Sequence, residues 1–252
     1  MAKNNHFNDN RGTLDRLLRT SLPPDDNNRL AELINYAHTL VSLENTIVVI
    51  SDMHRGESRI VIGDFGLRLG LDGYEKENSI WESRILEMMT PKEQENKFIA
   101  ELRFYHFIRH LHKSKRKHYY LASILRFILK DGSNMNVMHR MYYVYDNKQE
   151  RVLYAVCLYS PMAFAMKWRN QAVNSLTGEA VELAETTNAS ILGPRECQVL
   201  SLIDQGLKSA EIAARLNISV HTVSRHRQEI LAKLQVKNSI EACRLATRMG
   251  LI

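Results

Sequence analysis

Residues 217–234 read NISVHTVSRHRQEILAKL. Asn217-Ile218-Ser219 has the composition of a tight turn, and Ser219 is a good N-cap for a following helix. In that helix Val223, Ile230, Leu231 and Leu234 fall on one face. His221, Ser224, Arg225, Gln228 and Ala232 fall on the other, at i, i+3, i+4, i+7 and i+11. One stripe is made to pack, and the other carries side chains that hydrogen-bond. Arg can hold guanine O6 and N7 together and Gln can hold adenine in the same forked way, so the outer stripe suits a major groove. Arg227 and Lys233 flank it and suit phosphates, which add affinity but no sequence information.

The flanking residues extend this into a unit of four short helices. Pro194 sits where a first helical residue needs no N–H, Val199, Leu200 and Ile203 form an apolar face, and Gly206 supplies a stop. Ile212, Ala213 and Leu216 face inward on a second helix, where Ala213 and Ala214 are small enough for another helix to cross closely. From Asn188 onward there are nine Lys/Arg against five Asp/Glu, so about +4 of the formal net charge of +6 lies in the last quarter of the chain. That balance permits nucleic-acid binding.

Leu192-Gly193-Pro194-Arg195-Glu196, Gly206, Glu211-Ile212-Ala213, Leu216, Ile218-Ser219, Thr222-Val223, His226, Leu234 and Val236 resemble the LuxR/FixJ-type (GerE-like) helix-turn-helix DNA-binding domain. The resemblance covers about 60 residues and implies that Val220 to Leu234 is the recognition helix. It places base contacts on Ser224, Arg225 and Gln228, and backbone contacts on Lys208, His221, Thr222, Arg227 and Lys233. It makes Asn238 to Met249 the helix through which the family dimerises, with Ile240, Cys243, Arg244 and Thr247 at that contact. Two departures stand out. Ser224 replaces the family's usual Lys or Arg, which leaves its contact to Arg225. Lys208-Ser209 alters the capping order before the second helix, so that helix is expected to start one residue later.

The 252 residues make two domains the natural expectation, and 44% hydrophobic with 25% charged residues is ordinary for a globular chain. No run approaches the ~18 apolar residues of a membrane span, and Met1 to Asn10 has no apolar core, so a cytoplasmic protein with no membrane partner is expected. Cys157, Cys197 and Cys243 lie far apart, as reduced and mostly buried thiols do. The basic knot of Lys113, Lys115, Arg116 and Lys117 reads as a solvated loop.

Before the helical unit the chain alternates element types. Residues 1–23 look loosely attached, with a short amphipathic stretch at Leu14, Leu17 and Leu18, and Pro23-Pro24-Asp25-Asp26 punctuates the chain. Leu30, Leu33, Ile34, Ala37, Leu40 and Val41 have helical spacing. Strands are predicted at Ile47–Ser51 and Arg59–Phe65, helices at Ile80–Met89 and Lys92–Leu111. Three further strands, Tyr119–Lys130, Asn136–Tyr145 and Arg151–Tyr159, are joined by Asp131-Gly132 and by Asp146-Asn147-Lys148. Leu125-Arg126-Phe127-Ile128-Leu129-Lys130-Asp131-Gly132-Ser133 running through Val144, and Ile85 to Glu93, resemble a PAS domain. That resemblance implies an antiparallel sheet with helices on one face. Lys92-Glu93 departs from the family's turn.

An enzyme reading competes. Ile50-Ser51-Asp52-Met53-His54-Arg55-Gly56 and Gly63-Asp64 resemble the opening of the calcineurin-like metallophosphoesterases, where Asp52, His54 and Asp64 would hold a metal pair. Asp52 and Asp64 are too close in sequence for the helix that family places between them, and no Gly-Asn-His or Gly-His-x-His follows. A polar loop between two strands fits better. No catalytic residue, metal site or cofactor is expected.

The chain is therefore expected to be α+β. An extension and helix (1–45) precede a PAS-like sensory domain (46–161), a helical connector and linker (162–190), and an all-α helix-turn-helix domain (191–252). The expected activity is sequence-specific transcription regulation by a homodimer on double-stranded DNA, with a small molecule or protein partner at the PAS-like domain. The alternative is a protein-interaction adaptor that keeps the helical fold without binding DNA.

Overall fold

The computed structural model describes Gly12, Leu14, Asp15, Leu17, Leu18 and residues 28–148, 150–183, 192–234, 236–249 and 251–252. Pro23 to Asp26, the first eleven residues and the linker Asn188-Ala189-Ser190 lie outside them. The chain divides into two compact units, one holding residues 1–104 and 111–182, the other 105–110 and 183–252. No described helix is long and apolar enough to cross a membrane.

The first unit is built on one antiparallel sheet. Its strands are β1 (Ile47–Asp52), β2 (Glu57–Ile62), β3 (Lys76–Glu77), β4 (Tyr119–Ile128), β5 (Asn134–Tyr145), β6 (Val152–Pro161), β7 (Asn170–Asn174) and β8 (Ala180–Glu182). They lie in the order β3-β2-β1-β6-β5-β4-β7-β8. The chain is thus α+β with a PAS-like sheet and a separate helical unit. Burial on β6 is nearly continuous, as expected of a central strand covered on both faces. On one face α1 (Arg29–Glu44) turns Ala37 and Val41 onto Val48, Ile50, Val61, Val156 and Leu158. Leu14 and Leu18 are helical and buried, so that stretch is not loosely attached.

Three expectations fail for identifiable reasons. The second strand ends at Ile62, and α2 (Asp64–Arg68) follows. A Cβ at Gly66 would lie 2.0 Å from Ile62 Cγ2, so the chain doubles back tightly, and Asn45 Oδ1 accepts the Phe65 N–H at 3.1 Å. The helix expected over Ile80–Met89 shrinks to α3 (Ser83–Glu87). Ile80, Trp81 and Glu82 are buried ahead of the helix, where Ser79 Oγ accepts the Trp81 N–H at 3.1 Å and holds a local turn. The helix is retained further on as α4 (Pro91–His110), whose Thr90 hydroxyl accepts the Glu93 N–H at 3.2 Å, and α5 (Lys113–Arg116) holds the basic knot.

The expected helical connector is a hairpin over its described part. Residues 162–169 are irregular, with bends at 164 and 167–169, and Phe164 is 67% exposed, so their apolar content packs no helix. Downstream, Asn170–Asn174 pairs with β4 and Ala180–Glu182 with β7. Gly178, at φ +73, closes the turn, and the pairing covers what would be a bare β4 edge.

The interior beneath the other sheet face sets a buried polar group among apolar residues such as Leu121, Phe127 and Val137. Lys97 on α4 places its ammonium 2.6 Å from Glu101 and 3.5 Å from Glu82, and all three side chains are at most 7% exposed. Burial alone would lower the Lys97 pKa, but the two carboxylates hold it above its ordinary value. Burial pushes Glu101 up, against the pull of Lys97. Ser123, His139 and Tyr159 form a row across β4, β5 and β6, and the His139 and Tyr159 rings stack at 4.8 Å. The Tyr159 hydroxyl donates to Glu82 at 3.3 Å. Neither His139 ring nitrogen nor the Ser123 hydroxyl has a partner among the described residues. Burial and then Lys97 keep the His139 pKa well below its usual value, so its ring is neutral.

Removing the cation from this triad strands two carboxylates in the core. Lys97→Met is expected to cost about 3–5 kcal/mol, read from denaturant unfolding at neutral pH. Unchanged stability would show that the triad is solvated.

Candidate nucleic-acid interface

The second unit contains α6 (Pro194–Asp204), α7 (Ser209–Leu216), α8 (Val220–Leu234) and α9 (Ser239–Met249). Each is started by local chemistry. Glu196 Oε2 accepts the Gly193 N–H at 2.6 Å, and Glu211 Oε2 accepts the Lys208 N–H at 2.6 Å. Each is the carboxylate half of a capping box. Ser219 Oγ accepts the Thr222 N–H at 3.0 Å, so Ser219 does cap α8. Gly206 at φ +85 and Asn217 at φ +52 take the left-handed conformation that turns the chain after α6 and α7.

The inner seam of α8 is dry. Val223, Ile230 and Leu234 are at most 1% exposed and share the core with Val199, Leu200, Ile212, Ala242 and Ala246. Leu231 and Leu216, expected inside, are half-buried at the edge of this core. The opposite face is open, with His221, Ser224, Arg225, Gln228 and Ala232 all exposed. Ser224, Arg225 and Gln228 are brought together on it. The Arg225 side chain is 71% exposed, and its Nε donates to Glu229 Oε1 at 2.9 Å. That bond leaves the guanidinium's outer Nη edge facing away from the carboxylate.

The residues assigned to the DNA backbone divide. Lys208 and His221 are exposed, and Thr222 is half-buried with its hydroxyl 2.8 Å from that of Ser219. Arg227 and Lys233 are occupied within the unit. Arg227 donates to Ser209 Oγ at 3.3 Å and Ser239 Oγ at 3.0 Å, fastening α8 to the starts of α7 and α9. Lys233 Nζ lies 2.6 Å from Glu196 Oε2, the oxygen that also caps α6. Sequence reasoning missed these fastenings, and it missed Arg195, which donates to the Leu216 carbonyl at 2.7 Å. Their partners lie 12 to 37 residues away, so no local spacing announces them. The Arg225–Glu229 pair, at i,i+4, carried a readable signal.

The residues expected at a dimer contact also divide. Ile240 is 66% exposed, and Arg244 and Thr247 are exposed beside it at i+4 and i+7. Cys243 is a correction. It is 6% exposed, its thiol points to the Leu200 carbonyl at 3.8 Å, and burial pushes its pKa up to about 11. It sits on the inner face of α9 with Ala242 and Ala246 and packs α9 onto α6, on the side away from exposed Ile240.

The metal-pair residues are not brought together. Ile62 pairs with Ile47 at one end of the β1–β2 ladder and Glu57 with Asp52 at the other. Asp64 therefore lies roughly 17 Å from Asp52, at about 3.4 Å per residue. Asp52 Oδ1 instead accepts the His54 and Arg55 N–H groups at 2.9 Å and shapes a turn. Among the described residues the cluster with ligating atoms within 4.8 Å of one another is Glu196, His226 and Glu229. Within it, Glu196 already pairs with the Lys233 ammonium at 2.6 Å and Glu229 with Arg225 at 2.9 Å.

Residues 190–246 match the family model described as bacterial regulatory proteins, luxR family, and this part of the chain is a LuxR-type helix-turn-helix domain. Among curated relatives, the oxygen regulatory protein NreC of Staphylococcus carnosus (strain TM300) is 34% identical over 88 residues, which is 34% of this chain and 41% of that protein. NreC of Staphylococcus aureus (strain JH9) is 35% identical over 89 residues, with the same shares. The chain thus spans about 41% of the length of these relatives. Among solved structures, a phage VqmA–DPO complex covers 88% of both chains at 14% identity and a TM-score of 0.35. The Vibrio cholerae VqmA dimer covers 87% of this chain and 88% of its own at 15% identity and a TM-score of 0.33.

Because Lys233 holds Glu196, Lys233→Ala is expected to lower the stability of the helical unit by roughly 1 kcal/mol, whereas Lys237→Ala leaves it unchanged. Circular dichroism during denaturation checks this. An unaltered unfolding curve for Lys233→Ala would return that lysine to a surface role.

Proposed function

We propose that the chain is a sequence-specific DNA-binding transcription regulator acting as a dimer in the compartment that holds the chromosome. One observation carries the reading: Ser224, Arg225 and Gln228 stand exposed on a helix whose opposite face is locked into a dry core. Such a helix can enter a major groove without giving up internal contacts, and these residue types can meet base edges there. The LuxR-type domain match supports the same reading. Exposed Ile240, Arg244 and Thr247 supply the dimer face, and the dimer's two-fold axis implies half-sites about one turn, roughly 34–36 Å, apart.

The sheet unit is proposed as the sensory part. Its support is the buried polar row of Ser123, His139 and Tyr159, in which the Ser123 hydroxyl and both His139 ring nitrogens hold hydrogen-bonding capacity that packing alone does not use. A small molecule or a protein partner would act through this unit on the DNA-binding one.

Selection of bound duplexes from a random pool, followed by titration at several salt concentrations, tests both parts. The expected product is a pseudo-palindrome bound with a steep salt dependence. Arg225→Ala should cost about 1–3 kcal/mol on the selected site and relax the preference at one base position. Equal losses on selected and random DNA would remove its reading role, and no retained duplex at low salt would favour the adaptor. His139→Leu is expected to shift the affinity of the full chain while leaving base preference intact. Identical affinity would contradict the sensory assignment.

A further inference from the structure

Arg225 does not stand alone on the outer face of α8. Its Nε is held by Glu229 Oε1 at 2.9 Å, one turn further along the helix. The other oxygen, Oε2, lies 3.5 Å from His226 Nδ1, and His226 is only 17% exposed. Glu229 is thus placed between a half-buried ring and the guanidinium of the exposed arginine. The hydrogen bond and charge of Arg225 hold the carboxyl of Glu229 below its ordinary range, so it is ionised when the contact is made.

The geometry matters because of which nitrogen is taken. A bidentate contact to guanine O6 and N7 can use the Nη edge of the guanidinium, and the Nε edge is the one Glu229 occupies. An acidic side chain beside a DNA-facing stripe is otherwise unfavourable, since it faces phosphates. Surface ion pairs also add little to stability. A carboxylate at this place weakens general attraction to DNA, yet it limits the rotamers of an arginine that would otherwise be free.

We infer that Glu229 is a positioning residue that aims the Nη edge of Arg225 at a base, raising discrimination at one position while lowering affinity for DNA in general. This rests on the proposed reading of α8 as the groove-entering helix. The effect comes from ordering a long side chain before binding, which corresponds to roughly a 2- to 10-fold gain in preference for the correct base.

The test uses the full chain and the duplex selected by the wild type, together with duplexes altered at each base in turn. Glu229→Gln keeps size but loses charge, and Glu229→Asp keeps charge but loses reach. Both are expected to lower discrimination at the base read by Arg225 by about 2- to 10-fold and to leave the other positions unchanged. In an Arg225→Ala background neither should alter discrimination at all. If Glu229→Asp behaves as wild type, or if Glu229→Gln tightens every duplex alike, Glu229 is only a repelling charge and the inference falls. If the wild type prefers no sequence, the regulator reading itself falls and takes this one with it.

Discussion

One helix has to serve two surfaces at once, and the helical unit is organised around that demand. Val223, Ile230 and Leu234 on α8 are sealed in the core, and each residue along a helix turns by 100°. A small rotation about the helix axis would therefore carry Ser224, Arg225 and Gln228 away from the direction in which they now face. Dry packing opposes that rotation but does not fix it alone. Arg227 to Ser209 and Ser239, and Lys233 to Glu196, fasten the helix at two places along its length, while Arg195 ties α6 to the end of α7. The polar network is how an apolar core of modest size holds the exposed face still.

The sheet unit follows a different rule. Its face toward α1 is apolar, whereas its other face carries Lys97, Glu82 and Glu101 together with the row of Ser123, His139 and Tyr159. Buried ion triads seldom stabilise a fold better than hydrocarbon of the same volume, and an unpartnered buried nitrogen costs free energy. A unit selected for stability alone would replace these groups. These buried polar groups are the support for proposing this unit as the sensory part.

Local patterns carried much of the architecture. The helical period of residues 220–234, the Ser219 cap, the stops at Gly206 and Asn217, and the turns flanking the long strands are all short-range features, and the structure has them. Arg227 and Lys233 were different. Their spacing beside the outer stripe suited phosphates, and only distant Ser209, Ser239 and Glu196 reveal that they are held within the unit. Cys243 was assigned from family position, although its neighbours Ala242 and Ala246 mark the inner face of α9. The β7–β8 hairpin was obscured by the apolar residues that precede it, and Thr177-Gly178 between Asn174 and Ala180 was the turn signal that would have shown it. Glu82 shows the same limit, because a carboxylate buried against Lys97 has no local signature.

The central claim is that the outer face of α8 meets base edges while its inner face stays in the core. Side-chain and amide NMR of the full chain, titrated with a selected duplex, measures this directly. The account predicts that signals from His221, Ser224, Arg225 and Gln228 shift together at saturation while those of Val223, Ile230 and Leu234 keep their positions. Shifts confined to other surfaces, or collapse of the inner-face signals on binding, would contradict it.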